Sequence, residues 1–180
     1  MTVGLLRTMT RTYSFLLSVL LFTWSCSAAS KYESIFDEVG RNLGIDPIIL
    51  YGLAVQESSP PDQHRPWPWT INVAGKGYWF NTKSEAVEAI KIATRLGIQN
   101  IDIGMMQINW KWHGHHFKSY SEALDPKRNL ETAASILKTF KNYPIFVAIG
   151  KYHCPSKVPW CERAAQEYAV KVVNRIKSLL

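Results

Sequence analysis

Apolar residues recur at helical spacing over several stretches of the chain, and charged or polar residues fill the positions between them. Tyr32, Ile35, Phe36, Val39 and Leu43 form the first stripe, with Ser30-Lys31-Tyr32-Glu33 as a capping box and Gly44 as a stop. A second helix is predicted from Asp46 and Pro47, an N-cap followed by the proline favoured at the first helical position, to about Ser58. A third opens on the capping box Thr82-Lys83-Ser84-Glu85, carries Val87, Ile90, Thr94 and Leu96, and closes at Gly97. Asp125-Pro126 repeats the cap-and-proline signal, and Leu130, Ala133, Ala134, Leu137 and Phe140 follow it. "PIFVAIGKYH", from Pro144, predicts a short buried helix, and Ala165, Ala169, Val172 and Ile176 give a last helix from about Glu162.

Two segments lack the helical period. In residues 59–80, "WTINV", "AGKG" and "YWF" predict one β-hairpin. "IQNIDIGMMQINW" is apolar and ambiguous; Gly104 breaks it, and a short helix is expected from Met105. Five or six helices with one small hairpin make an α+β domain that is mostly α. The chain has 180 residues, 47% of them apolar, which suits one domain with one core.

The beginning of the chain changes the setting. Arg7 and Arg11 precede the apolar run "YSFLLSVLLFTW", and the small residues of "SCSAAS" follow. This pattern predicts a secretory signal over residues 1–29, with the working domain at 30–180 and an exported, periplasmic location. An uncleaved anchor is the alternative, but the run is short for a membrane span. A lipidated Cys26 is another, to which Thr23-Trp24-Ser25 is a poor lead-in. Export favours an oxidising compartment, so Cys154 and Cys161 are expected to pair as a local disulfide, with two free thiols as the alternative.

The net charge is +7, and removal of residues 1–29 takes away two cations and no acids, leaving +5. A basic surface suits an anionic polymer or membrane. Nucleic acid is not expected, because the basic residues are scattered along an exported chain.

The candidate chemistry centres on Glu57. Leu50, Leu53 and Ala54 lie seven, four and three residues before it, so Glu57 continues an apolar stripe and points inward. Burial and the negative end of the helix dipole both disfavour its ionised form. A carboxyl that keeps its proton near neutral pH is what a general acid requires. The alternative is an acid that curls out to solvent from a frayed last turn. Pro60 and Pro61 force the chain away from the helix, which places a loop or cleft there. Trp69, Tyr78 and Trp79 are candidate sugar-stacking rings on the hairpin, or else cover for the core. Gln107 and Asn109, beside Gly104, are candidate hydrogen-bonding groups in a groove. "WHGHH", with His113, His115 and His116, raises a zinc site as a rival, but the spacing fits no metal pattern and a solvated cationic loop is expected instead. No metal or other cofactor is expected.

Four motifs occur in one order: Glu57-Ser58 ending an apolar helix, Gly104-Met105-Met106-Gln107, Asn129-Leu130 with Ala133 and Leu137, and Ala148 to Tyr152-His153. This order resembles the soluble lytic transglycosylases of the lysozyme superfamily. "PWPWTINVAGKGYWF" and "IGKYHCP" resemble the small members that accompany secretion systems, conjugation machines and pili. The resemblance spans about residues 32–170. It implies a lysozyme-like helical domain, expected to be monomeric, that cuts peptidoglycan strands between N-acetylmuramic acid and N-acetylglucosamine, with components of such a machine as further partners. It implies Glu57 as the catalytic acid and Ser58, Gln107 and Tyr152 as substrate-side residues, beside which Asn109 stands as a candidate on the chemistry of its amide alone. Met105 stands where the family usually has Leu. Lys151 and His153 replace the Ala and Asn that flank the family's tyrosine, which puts the contact of that Asn in doubt. No second inward acid is evident; Asp62 and Asp102 are candidates, but both fall in segments without an assigned element. A hydrolytic muramidase and a non-catalytic wall-binding module are the other readings.

Overall fold

The computed structural model describes residues 34–180. The signal segment, Tyr32 and the capping box at Ser30–Glu33 lie outside the described residues. The domain is mostly helical, with one small antiparallel sheet. Helix α1 covers 34–43 and stops at Gly44, whose φ of +68° is left-handed. Helix α2, Pro47–Ser58, starts under an Asp46 cap and buries Leu50, Gly52, Leu53, Ala54 and Val55. It is apolar on nearly every face, so it runs through the core rather than along it.

The sheet has four strands in the order β2-β1-β3-β4: β1 is Thr70–Val73, β2 Lys76–Trp79, β3 Ile101–Ile103 and β4 Ile108–Asn109. The single expected hairpin is therefore half of the sheet. Its turn is Ala74-Gly75, both with positive φ, and Lys76 and Gly77 belong to the second strand. The second hairpin replaces the helix expected at Met105. Its strands are only three and two residues long, and Met105 and Met106 are fully buried in the connecting turn. The apolar run "IGMMQI" thus hides the alternation of its strands. That alternation is clear in the register: Ile71, Ile103 and Ile108 face the core, while Asn72, Asp102 and Asn109 align across the other face.

Helix α3, Lys83–Arg95, forms behind the predicted capping box, with both reciprocal hydrogen bonds present. It buries Ala86, Ile90 and Ala93; Leu96, expected on that stripe, is exposed beyond the helix end. Two short helices follow, α4 at Trp110–His113 and α5 at Tyr120–Ala123, each capped by a side chain, Asn109 and Ser119. Helix α6, Pro126–Lys138, carries the predicted buried stripe.

Helix α7, Ile145–His153, is not buried throughout: Ala148, Ile149 and Gly150 are, whereas Ile145, Phe146 and Val147 are exposed. Helix α8, Pro159–Lys177, begins three residues earlier than predicted, because a proline at its first turn extends it. Cys154 and Cys161 are joined by a disulfide, with Cα atoms 5.5 Å apart. Gly150 faces Ala165, so α7 and α8 run antiparallel from the disulfide and pack closely together.

The close approach at Gly150 has a measurable consequence. A Cβ there would lie 2.6 Å from the backbone oxygen of Ala165, which cannot move without shifting α8. In an ordinary helix position Gly→Ala stabilises by up to about 1 kcal/mol. Here Gly150→Ala is expected to destabilise by about 1–3 kcal/mol. Urea unfolding measures it, and a gain in stability would contradict the packing.

Candidate active site

Glu57 is the penultimate residue of α2, and the helix ends against loop and sheet. Ser58 fixes that end. Its hydroxyl donates to Ala54 O at 2.8 Å and accepts from the Trp67 amide at 2.9 Å. Its carbonyl accepts from the Trp79 indole at 2.8 Å. Ser58 is only 1% exposed, and its hydrogen bonds tie the helix end to the 59–69 loop.

The carboxyl of Glu57 opens on a cleft of about 1020 Å³. One wall is the polar face of the sheet, with Asn72, Asp102 and Asn109 side by side, extended by Asn100 and Gln107. The lining also includes Ile136 of α6, Phe140 from the turn after it and Tyr152 of α7. Trp112, His113 and His116 stand at one margin, and Trp112 is 68% exposed. Trp69, Tyr78 and Trp79 do not line this cleft. Trp69 packs against the core, and the Trp79 indole folds over Gly77 and bonds to Ser58 O. Trp69 directly precedes β1, and Tyr78 and Trp79 lie on the edge strand β2. An exposed aromatic ring at the cleft is Trp112, in the same segment as His113, His115 and His116.

The turn between β3 and β4 is held by Asn129. This buried amide donates to Ile103 O and Ala123 O, each at 2.9 Å, and accepts from the Met106 amide at 2.8 Å. Gly104, at φ +81°, leaves room for it, since a Cβ there would come within 2.5 Å of the Asn129 amide nitrogen. Gln107 also has a positive φ, +47°, and its amide nitrogen donates to Gly104 O at 2.8 Å. Tyr152 reaches across from α7 and donates to Met106 O at 2.7 Å. Gln107, Asn109 and Tyr152 thus all border the cleft, but Gln107 and Tyr152 spend hydrogen bonds on positioning the turn. The Asn109 amide donates to Asp102 at 2.7 Å and to Asn100 at 3.1 Å.

Two further groups act on Glu57: Tyr168, which sequence reasoning missed, and Asp102, which it named as a candidate acid without an assigned element. Tyr168, on α8, donates a short hydrogen bond to Glu57 Oε1. It is 6% exposed, and its ring lies parallel to that of His153 with centroids 4.5 Å apart. Its signal was present, because Tyr168 falls on the stripe of Ala165, Ala169 and Val172. Asp102 is the second carboxyl of the cleft, placed there by strand β3.

Burial raises the Glu57 pKa to about 7; the Tyr168 hydrogen bond opposes this and the Asp102 charge adds to it. Burial also raises Asp102, against the hydrogen bond from Asn109. Burial and the Glu57 charge push the Tyr168 phenol well above its ordinary range, so it remains a donor. His113 and His116 are lowered by burial and by mutual repulsion within the histidine cluster, where the His115 and His116 rings lie 4.1 Å apart. Among the described residues, no group of three or more His, Cys, Asp or Glu side chains is placed to hold a metal ion. The arrangement offers a protonated carboxyl, a second carboxyl and a row of amides along an open groove. Comparison with family models, curated proteins and solved structures finds no match to this chain.

The state of Glu57 is linked to stability. Its folded value of about 7 lies above the ordinary 4.5, so the folded protein holds this proton more tightly than the unfolded chain. The contribution is fully present below pH 4.5 and is lost as pH rises through 7, by about 3 kcal/mol. Glu57→Gln removes the dependence. Its melting temperature is expected to exceed the wild type by several degrees at pH 8, with the gap closing toward pH 4. Equal melting curves at pH 8 would show that the carboxyl is not desolvated.

Proposed function

We propose that this domain is a peptidoglycan lytic transglycosylase of lysozyme-like architecture, acting on exported glycan strands near a secretion, conjugation or pilus apparatus. One observation carries the reading: a carboxyl that burial holds near pKa 7 opens on a groove large enough for several sugar rings. The motif order Glu57-Ser58, Gly104 to Gln107, Asn129-Leu130 and Tyr152-His153 supports the family assignment, and a net positive charge suits the murein surface.

In this reading Glu57 protonates the glycosidic oxygen between N-acetylmuramic acid and N-acetylglucosamine as the bond breaks. The N-acetyl group of the substrate stabilises the developing cation. The ionised Glu57 then takes the proton of the muramyl C6 hydroxyl, whose oxygen closes a 1,6-anhydro ring. Asn72, Asn109 and Gln107 supply amides for the sugar hydroxyls and N-acetyl groups, and Trp112 supplies a ring for a sugar face.

Asp102 favours a second reading. A hydrolase of the lysozyme type works with two carboxyls flanking the scissile bond, and Asp102 shares the cleft and an electrostatic interaction with Glu57. Product masses separate the two. Transglycosylation gives muropeptides one water lighter than hydrolysis does. We expect purified protein to release anhydro products from murein, and Glu57→Gln to lose at least about a thousandfold in rate while remaining folded. Asp102→Asn is expected to keep most of the anhydro-forming activity. Reducing-end products alone, lost in Asp102→Asn, would make the protein a muramidase.

A further inference from the structure

We propose that Tyr168 is the positioning residue for Glu57: its hydroxyl occupies Oε1, so the transferable proton sits on Oε2. This rests on the reading of Glu57 as the acid.

The geometry leaves little choice. The Tyr168 phenol is buried, and among the described residues its hydrogen-bond acceptor is Glu57 Oε1. Its pKa is driven upward, so it donates at every pH at which the protein works. The carbonyl oxygen of a protonated carboxyl accepts better than its hydroxyl oxygen, so a bond donated by Tyr168 to Oε1 favours the carbonyl form there and the proton on Oε2. The ring itself is clamped, with the His153 imidazole stacked parallel on it and α7 drawn against α8 at Gly150. The other titratable groups acting on this pair are Asp102 from β3 and Tyr152 from α7; Lys171 acts on His153. Of these, only Tyr168 donates a hydrogen bond to Glu57.

The proton balance is simple. Glu57 Oε2–H breaks, and its hydrogen bonds to the leaving glycosidic oxygen. The electron pair stays on the carboxyl, which becomes anionic. The Tyr168 O–H bond does not break; its hydrogen bond strengthens as the charge appears. Tyr168 thus favours the ionised form that exists after proton transfer, which is the differential interaction that catalysis needs. Burial keeps the proton on Glu57 near neutrality, and Tyr168 limits how far that effect goes.

The test reads Glu57 directly. With carboxyl carbons of glutamate labelled with carbon-13, NMR follows the Glu57 titration in the folded protein. Tyr168→Phe removes only the hydroxyl, and the midpoint is expected to rise by about one pH unit. The alkaline limb of the pH profile for murein cleavage should rise with it. Replacement of Tyr168 by 3-fluorotyrosine makes a stronger donor of nearly the same shape, and the midpoint is expected to fall. A purely packing role would lower the melting temperature and leave the midpoint in place. An unmoved midpoint in both proteins overturns the proposal. If Tyr168→Phe fails to fold, the fluorotyrosine protein decides alone. Absence of murein cleavage by the wild type would instead overturn the enzymatic reading, and the titration would stand on its own.

Discussion

A helix buried on nearly every side meets solvent chiefly at its ends, and α2 is such a helix. Leu50, Leu53, Ala54 and Val55 fill the centre of the domain, with α8 and the flanking elements packed around them. Glu57 stands where that apolar column reaches the cleft. Its carboxyl is denied full hydration by the same packing that stabilises the fold. The raised carboxyl and the core are therefore one construction, since burial is the main cause of the shift.

Around this column the cleft is held by a few buried polar groups. Asn129 binds both sides of the β3–β4 connection, and Tyr152 adds a bond from α7. Ser58 does the corresponding work at the helix end. No buried side-chain polar atom among the described residues lacks a partner. Networks of that kind are rigid because each lost bond leaves a buried group unsatisfied. The sheet adds the groove's polar face by alternation alone, isoleucines inward and Asn72, Asp102 and Asn109 outward.

Most helices were legible in the sequence because caps, prolines and apolar stripes agree at their boundaries, as at Asp46-Pro47, Thr82 to Glu85 and Asp125-Pro126. Glu57 was legible for the same reason, since it continues a stripe that must face inward. The second hairpin was not. Met105 and Met106 are buried in its turn, so the apolar run has no visible period, and Asp102 lost its place in the cleft with it. Trp69, Tyr78 and Trp79 stand outside the lining of the cleft, because a place on the hairpin does not specify which part of a small sheet borders the groove. Tyr168 was hidden by distance, as its partner lies 111 residues earlier. Position on a buried stripe marked it as interior but gave no hint of what it would meet.

That separation has a temporal meaning. Glu57 lies in the second helix and Tyr168 in the last, so a chain emerging from the ribosome carries the acid long before its partner. Domains settle as units, and the central helix here has no complete wall until α8 arrives. A chain truncated before α8 would contain every residue of the sheet and α2, yet expose the apolar column and let the carboxyl take an ordinary acidity. The order of synthesis thus leaves the Glu57 carboxyl hydrated until the whole domain has closed.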